Sequence, residues 1–130
     1  MPKTTQLTLS LESKPGVLAK ICQALASAGV NITAICAAET AGRGKIRVVV
    51  SDPARAKQAL AAAKLRCAEE TALMLTLDDR PGALARVAEK LAAGKINIKC
   101  AYATTGGMGG AATVVLSVAN ADKAAALLGG

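Results

Sequence analysis

Residues 7–36 read LTLSLESKPGVLAKICQALASAGVNITAIC, and residues 73–102 read LMLTLDDRPGALARVAEKLAAGKINIKCAY. The second stretch is the first one again, shifted by 66 residues, with eleven of thirty aligned pairs identical and no gap. Pro15-Gly16 meets Pro81-Gly82, and Asn31-Ile32 meets Asn97-Ile98. The same shift lays Val48–Ser51 on Val114–Ser117. A repeat of this length predicts two copies of one small domain, residues 1–70 and 71–130. Any site built in one copy then has a twin or is shared.

Within the first copy the pattern names the elements. Leu7, Leu9 and Leu11 alternate with Thr8 and Ser10, which is strand spacing over Thr4–Leu11. Pro15 suits the first position of a helix, and Val17, Leu18, Ile21, Cys22 and Leu25 then form one apolar stripe. Gly29 suits the helix end. Strand alternation returns over Val30–Ala38. Gly42 and Gly44 supply positive φ for a hairpin, and Lys45–Ser51 is a Val-rich strand. Asp52-Pro53 is an N-cap followed by a first-turn proline, so Ala54–Ala63 is a helix. Lys64–Glu69 closes the copy as a short strand, which is able to run on into the strand Ala72–Leu77.

Strand, helix, strand, strand, helix, strand is the ferredoxin-like order βαββαβ, an antiparallel sheet with both helices on one face. The expected class is therefore α+β, two such units in tandem. In the second copy Asn120 caps the helix Ala121–Leu128 and the sequence stops at Gly129-Gly130, so its last strand is missing. An unpaired sheet edge at that place invites a partner strand. Between the second copy's two middle strands, Thr104–Gly110 carries four glycines. It lies between strands and lacks a following Gly-Lys-Ser/Thr, so it reads as a mobile hairpin turn rather than a phosphate loop, with Met108 and Tyr102 placed to close over a pocket.

Composition narrows the chemistry. The chain is 52% hydrophobic, yet Tyr102 is its sole aromatic residue and 30 residues are Ala. The core must be aliphatic and close-packed, and units of about 65 residues are marginal alone, which predicts association, expected as a homodimer. There is no His, the commonest general base and transition-metal ligand. Asp78-Asp79 and Glu69-Glu70 are adjacent carboxylates that face opposite ways on a strand. No nucleophile has a base, so no catalytic residue, metal or cofactor is expected. The net charge of +7 raises nucleic-acid binding. The cations are scattered and nothing aromatic is present to stack on bases, so no nucleic acid is expected. No apolar run approaches the ~18 residues of a membrane span, no signal peptide opens the chain, and the four cysteines form no C-x-x-C pair. The expectation is a cytoplasmic protein with reduced thiols and no membrane partner.

Two paired features are candidate binding elements. The loops Glu12–Leu18 and Asp78–Leu84 end in Pro-Gly at a helix start, where unpaired N–H groups and the helix dipole hold an anion such as a carboxylate. The same signal also serves as a plain helix start. Asn31 and Asn97 open strands after the first helix of each copy. Their side-chain amides offer donors and acceptors to an amino acid, or cap a turn.

The frame strand, x-x-x-Pro-Gly-x-Leu-Ala, helix, Gly-x-Asn-Ile, strand resembles the ACT domain, the small ligand-binding module of amino-acid-metabolic enzymes. The chain resembles stand-alone tandem ACT proteins over nearly its whole length. The resemblance implies the ferredoxin-like fold and an amino acid bound where ACT units meet. It implies ligand contacts at Ser13, Lys14, Pro15, Gly16, Val17 and Leu18, at Asp79, Arg80, Gly82, Ala83 and Leu84, and at the Asn31-Ile32 and Asn97-Ile98 pairs. Tyr102 is added as a contact by position, with packing as its other reading. The second copy departs from the frame, because Lys95 stands where the first copy has Gly29. The expected function is a regulatory protein that binds a small amino acid and is read by a metabolic enzyme. A regulatory or structural subunit acting through its sheet edge stays open as the alternative.

Overall fold

Two compact units divide the chain: Thr5–Glu70, and Thr71–Gly130 together with the first four residues. The computed structural model describes residues 3–105 and 110–129, and only the backbone of Thr105. Met108 and its flanking glycines lie outside the described residues. The elements are β1 (Lys3–Glu12), α1 (Val17–Ser27), β2 (Ile32–Thr40), β3 (Arg43–Val50), α2 (Pro53–Ala62), β4 (Ala68–Asp78), α3 (Ala83–Ala93), β5 (Ile98–Thr105), β6 (Ala111–Val118) and α4 (Ala121–Leu127).

The N-terminal unit has the antiparallel order β2-β3-β1, followed by the opening of β4. Leu7, Leu9, Ile46, Val48 and Val50 project from one sheet face onto Ile21, Leu25, Ala56 and Leu60 of α1 and α2. That is the expected layering, with both helices on one face. Full burial of a Leu side chain stabilises by roughly 1.5–3 kcal/mol, so Leu7, Leu9, Leu25 and Leu60, each 0% exposed, dominate this small core. In the C-terminal unit the order is β5-β6-β4, and Leu73, Val114, Leu116 and Val118 meet Leu91, Ala124 and Ala125.

Several sequence expectations change in detail. Lys64–Cys67 is not strand; β4 starts at Ala68 and runs unbroken to Asp78. The chain therefore passes from the first copy into the second within one strand. No strand follows α4 among the described residues. The place is not left bare, however: Lys3 and Thr4, the opening of β1, belong to the C-terminal unit, and β1 neighbours β4. There Lys3 Nζ bonds Asp122 of α4 at 2.8 Å. In the N-terminal unit Lys57 of α2 bonds Glu69 of β4 at 2.9 Å. In each unit an ion pair ties the second helix to a strand, with the signs reversed.

The repeat also slips. Leu7 pairs with Val48 and Leu73 with Leu116, and the N-caps Asp52 and Asn120 accept from Arg55 and Lys123. Beyond the second hairpin the shift is therefore 68 rather than 66. Val48 corresponds to Leu116, Ser51 corresponds to Ala119, and two residues are inserted in the glycine-rich turn. A slip of two keeps every side chain on its face, so a Val-rich run reads equally well at either shift.

Helix ends account for the remaining differences. Three helices close in Schellman motifs. Gly29, Lys64 and Lys95 sit left-handed at φ 72, 61 and 60, and their N–H groups donate to Ala26, Ala61 and Ala92. The next residue, Val30, Leu65 or Ile96, donates to Leu25, Leu60 or Leu91 and is buried beside it. Lys95 thus takes the strained position itself. Gly94 serves packing instead: a Cβ there would run into Leu127 Cδ1. In the first hairpin the positive-φ residues are Ala41 and Gly42, not Gly44.

Candidate functional site

Both strand-to-helix loops adopt the same backbone. Pro15 and Pro81 stand before their helices rather than in them, because the N-cap residues are Gly16 at φ 90, ψ −11 and Gly82 at φ 90, ψ −12. A positive φ of that size is open to glycine at little cost and strained for any residue with a Cβ. No atom lies within 4 Å of a Cβ placed on either glycine, so conformation, not crowding, requires them. Pro53 contrasts with both: it does occupy the first turn of α2, after a side-chain cap from Asp52.

Glycine caps leave the helix starts unoccupied. Neither cap makes a side-chain hydrogen bond. Val17 N–H reaches Lys14 C=O at 3.4 Å and Ala83 N–H reaches Arg80 C=O at 3.3 Å. Among the described residues the N–H groups of Gly16, Leu18 and Ala19, and of Gly82, Leu84 and Ala85, have no backbone partner. Those orphan donors and the positive end of the helix dipole aim outward in both copies. Leu18 and Leu84, each 44% exposed, stand on the same first turns.

Beside the first of these turns lies a hollow of about 170 Å³. Ser13, Lys14, Val17 and Leu18 line one side. Ala37, Ala38 and Glu39 of β2, with Gly44 and Ile46 of β3 and with Glu12, line the rest. The hairpin is held against the loop by Ser13 N–H, which donates to Gly42 C=O at 3.0 Å. The hollow combines a cation and a helix N-terminus with two carboxylates over an apolar floor. In the C-terminal unit the equivalent bond runs from Asp79 N–H to Gly110 C=O at 2.7 Å. Arg80, the counterpart of Lys14, turns to Asp78 at 3.5 Å. The two loops therefore share a backbone but not a charge arrangement.

The asparagines do not join the loops within a unit. Asn31 N–H donates to Ser51 Oγ at 2.9 Å, and Ser51 N–H returns to Asn31 C=O at 2.9 Å. Ser51 follows β3, whereas Gly42 precedes it, so the eight-residue strand separates the two features by roughly 25 Å. Asn97 holds the matching position, with Ala119 N–H on its carbonyl at 3.2 Å. Both side chains are exposed, and among the described residues neither amide has a hydrogen bond. Ile32 and Ile98 are partly buried against their cores, each beside a register shift. Tyr102 lies on β5 opposite Val115, half-buried.

A second hollow, of about 440 Å³, escaped the sequence reading. Lys57, Ala61, Lys64, Leu65, Arg66 and Cys67 line it at the junction of α2 and β4. The Glu69 carboxylate bonded to Lys57 raises the pKa of that ammonium. Burial raises that of the Cys67 thiol, opposed by the Lys57 charge.

Two ferredoxin-like units in tandem, each with a glycine-capped helix start, define a paired α+β module. The family model for an ACT domain pair matches residues 3–128, and the chain belongs to that family. The protein BT0572 of Bacteroides thetaiotaomicron is similar at 32% identity over 98% of this chain and 87% of its own, with a TM-score of 0.89. The ligand-free regulatory subunit of aspartate kinase from Thermus thermophilus shares the fold at 18% identity, over 95% of this chain and 89% of its own, with a TM-score of 0.67. The regulatory subunit of aspartate kinase from Thermus flavus does so at 19% identity, over 98% and 89%, also at 0.67. Among curated proteins, none matches the sequence. Among the described residues no helix is long and apolar enough to cross a membrane, and no group of three or more potential ligands is gathered for a metal.

Proposed function

We propose that this chain is a regulatory module that binds a small amino acid at its glycine-capped loops, at a seam between ACT units, and signals occupancy to a metabolic enzyme. The observation that carries the reading is the hollow at the start of α1. Lys14 and the helix start at Val17 and Leu18 suit an α-carboxylate, and Glu12 and Glu39 suit an α-ammonium group. At about 170 Å³, against the ~30 Å³ share of one water, it takes roughly six non-hydrogen atoms, the size of the smallest amino acids. Asn31 or Asn97 enters the same ligand shell only from another unit, given the span of one strand inside its own. The solved aspartate kinase regulatory subunits of the same fold favour an enzyme of amino-acid metabolism as the reader of the signal. The working form is a homodimer in the cytoplasm, without catalytic activity of its own.

A thermal-shift screen of the twenty amino acids tests this. One or more small residues should raise Tm, and Lys14→Ala and Glu39→Gln should each remove the shift while the unliganded Tm stays put. Absence of any shift, or a shift indifferent to both substitutions, overturns the proposal.

A further inference from the structure

The α2–β4 junction of the N-terminal unit carries more cation than the fold needs. Lys57 is matched by Glu69, but among the described residues neither Lys64 nor Arg66 forms an ion pair or a hydrogen bond to another side chain. Both are exposed, and both line the hollow of about 440 Å³ with Lys57. That volume lies within the roughly 300–1,000 Å³ range of small-molecule sites. Among the described residues no acidic side chain lines it. Its apolar part is Ala61 and Leu65, and the Cys67 thiol completes the lining.

The bland account is that these cations answer the negative end of α2. It falls short in magnitude. A helix terminus carries about half an elementary charge. The last turn of α2 is already closed by Lys64 N–H on Ala61 C=O and Leu65 N–H on Leu60 C=O. Two unpaired cations exceed what that terminus requires. The left-handed φ of Lys64 adds nothing to the case, since Lys95 shares it.

We infer that this junction is a binding site for a small organic dianion, a phosphate ester or a dicarboxylate, separate from the loop site proposed above. The Arg66 guanidinium offers a planar fork for two anionic oxygens, and Lys64 and Lys57 add point charges around it. The ligand's carbon part rests on Ala61 and Leu65. At the corrected shift of 68, Lys57 becomes Ala125, so that cation is not repeated in α4.

The test titrates inorganic phosphate and, separately, succinate into the full chain at constant ionic strength, followed by amide shifts in NMR. Saturable shifts centred on Lys57 and Lys64–Cys67 are expected. Lys64→Gln combined with Arg66→Gln should weaken them at least about tenfold, as expected for loss of charge-assisted bonds. The exposed Lys99→Gln, in the other unit, should leave them unchanged. Saturation by both anions supports a general dianion site, and saturation by phosphate alone supports its phosphate form. Lack of saturation up to about 10 mM of either overturns it. So does equal weakening by Lys99→Gln, which marks diffuse charge. Shifts centred on Ser13–Leu18 overturn it too, and would instead favour the loop site.

Discussion

Replacing Gly16 or Gly82 by Ala isolates the cost of a backbone conformation, because the new methyl group meets nothing. Both residues sit at φ 90 with open space around the added Cβ. Cavity and clash effects therefore drop out. An L-residue held in the left-handed region loses about 1–2 kcal/mol. Against this, Ala restricts the unfolded chain and returns about 0.4–1 kcal/mol. The net expectation is a loss of roughly 1 kcal/mol for each variant, about a fivefold fall in the folding constant. Amide exchange of α1 and α3 should report each loss in its own helix, and urea midpoints should fall with unchanged m. D-alanine at position 16, introduced by ligation, should reverse the sign, since its mirror preference matches φ 90. If both L-variants remain within about 0.3 kcal/mol of the parent, the loops do not hold a glycine-only backbone, and the shape argued for the ligand site fails with them.

Other changes separate the remaining forces. Asn in place of Ala41 should stabilise the first hairpin by about 0.5–1 kcal/mol in thermal denaturation, because the Ala41-Gly42 turn has positive φ at both residues and Asn-Gly favours it. Asp52→Ala and Asn120→Ala should each cost about 1 kcal/mol in urea denaturation, since each side chain caps a helix. The Lys3 ammonium, by hydrogen bond and then by charge, holds the Asp122 carboxyl below the usual carboxylate range. Its contribution is thus present above the unfolded carboxylate pKa and lost as pH falls through the lower folded value. An NMR titration should show that low midpoint, and Lys3→Ala should raise it toward the usual carboxylate range. Burial raises the Cys67 pKa, so any stability tied to it is present below the unfolded thiol pKa and lost as pH rises through the folded one. Cys67 should accordingly react more slowly with a thiol reagent near pH 8.5 in the folded chain than in urea, as mass spectrometry of the labelled protein would show.

The fold was legible because its signals are redundant. Leu7, Leu9 and Leu11 repeat as Leu73, Leu75 and Leu77, and two register-locked copies outweigh ambiguity in either. What sequence missed follows from degeneracy. Val48-Val49-Val50 satisfies the core face at a shift of 66 or 68, so the inserted turn residues were invisible. Pro-Gly reads as a proline in the first turn until the backbone shows Gly16 at φ 90, outside the helix. Lys3 and Thr4 precede the repeated stretch, so no internal match could assign them to the C-terminal unit. The paired loops stand out in the repeat, but the strand-length distance from Ser13 to Asn31 is a property of the sheet. Lys57, Lys64 and Arg66 carry no motif and converge only through the helix-to-strand turn.

Duplication would make two equal sites if side chains followed backbone, and here they do not. The caps agree to within a degree or so in φ and ψ, which fixes the same orphan donors in both loops. The charges around them diverge. Lys14 lines a hollow with Glu12 and Glu39, whereas Arg80 is engaged by its neighbour Asp78 and stands in an acidic Asp78-Asp79 pair. A carboxylate ligand meets similar donors and an equal number of carboxylates in both copies, but they are placed differently: Asp79 stands in the second loop itself where the first has Ser13, whereas the first copy's second carboxylate, Glu39, lies across the hollow on β2. Like charge at close range disfavours an anion, so the first loop should bind an amino acid more tightly than the second. Asp79→Ser, which restores the residue of the first copy, should narrow that difference in calorimetric titration. An unchanged difference would mean that the inequality arises from the glycine-rich hairpin rather than from the loop charges.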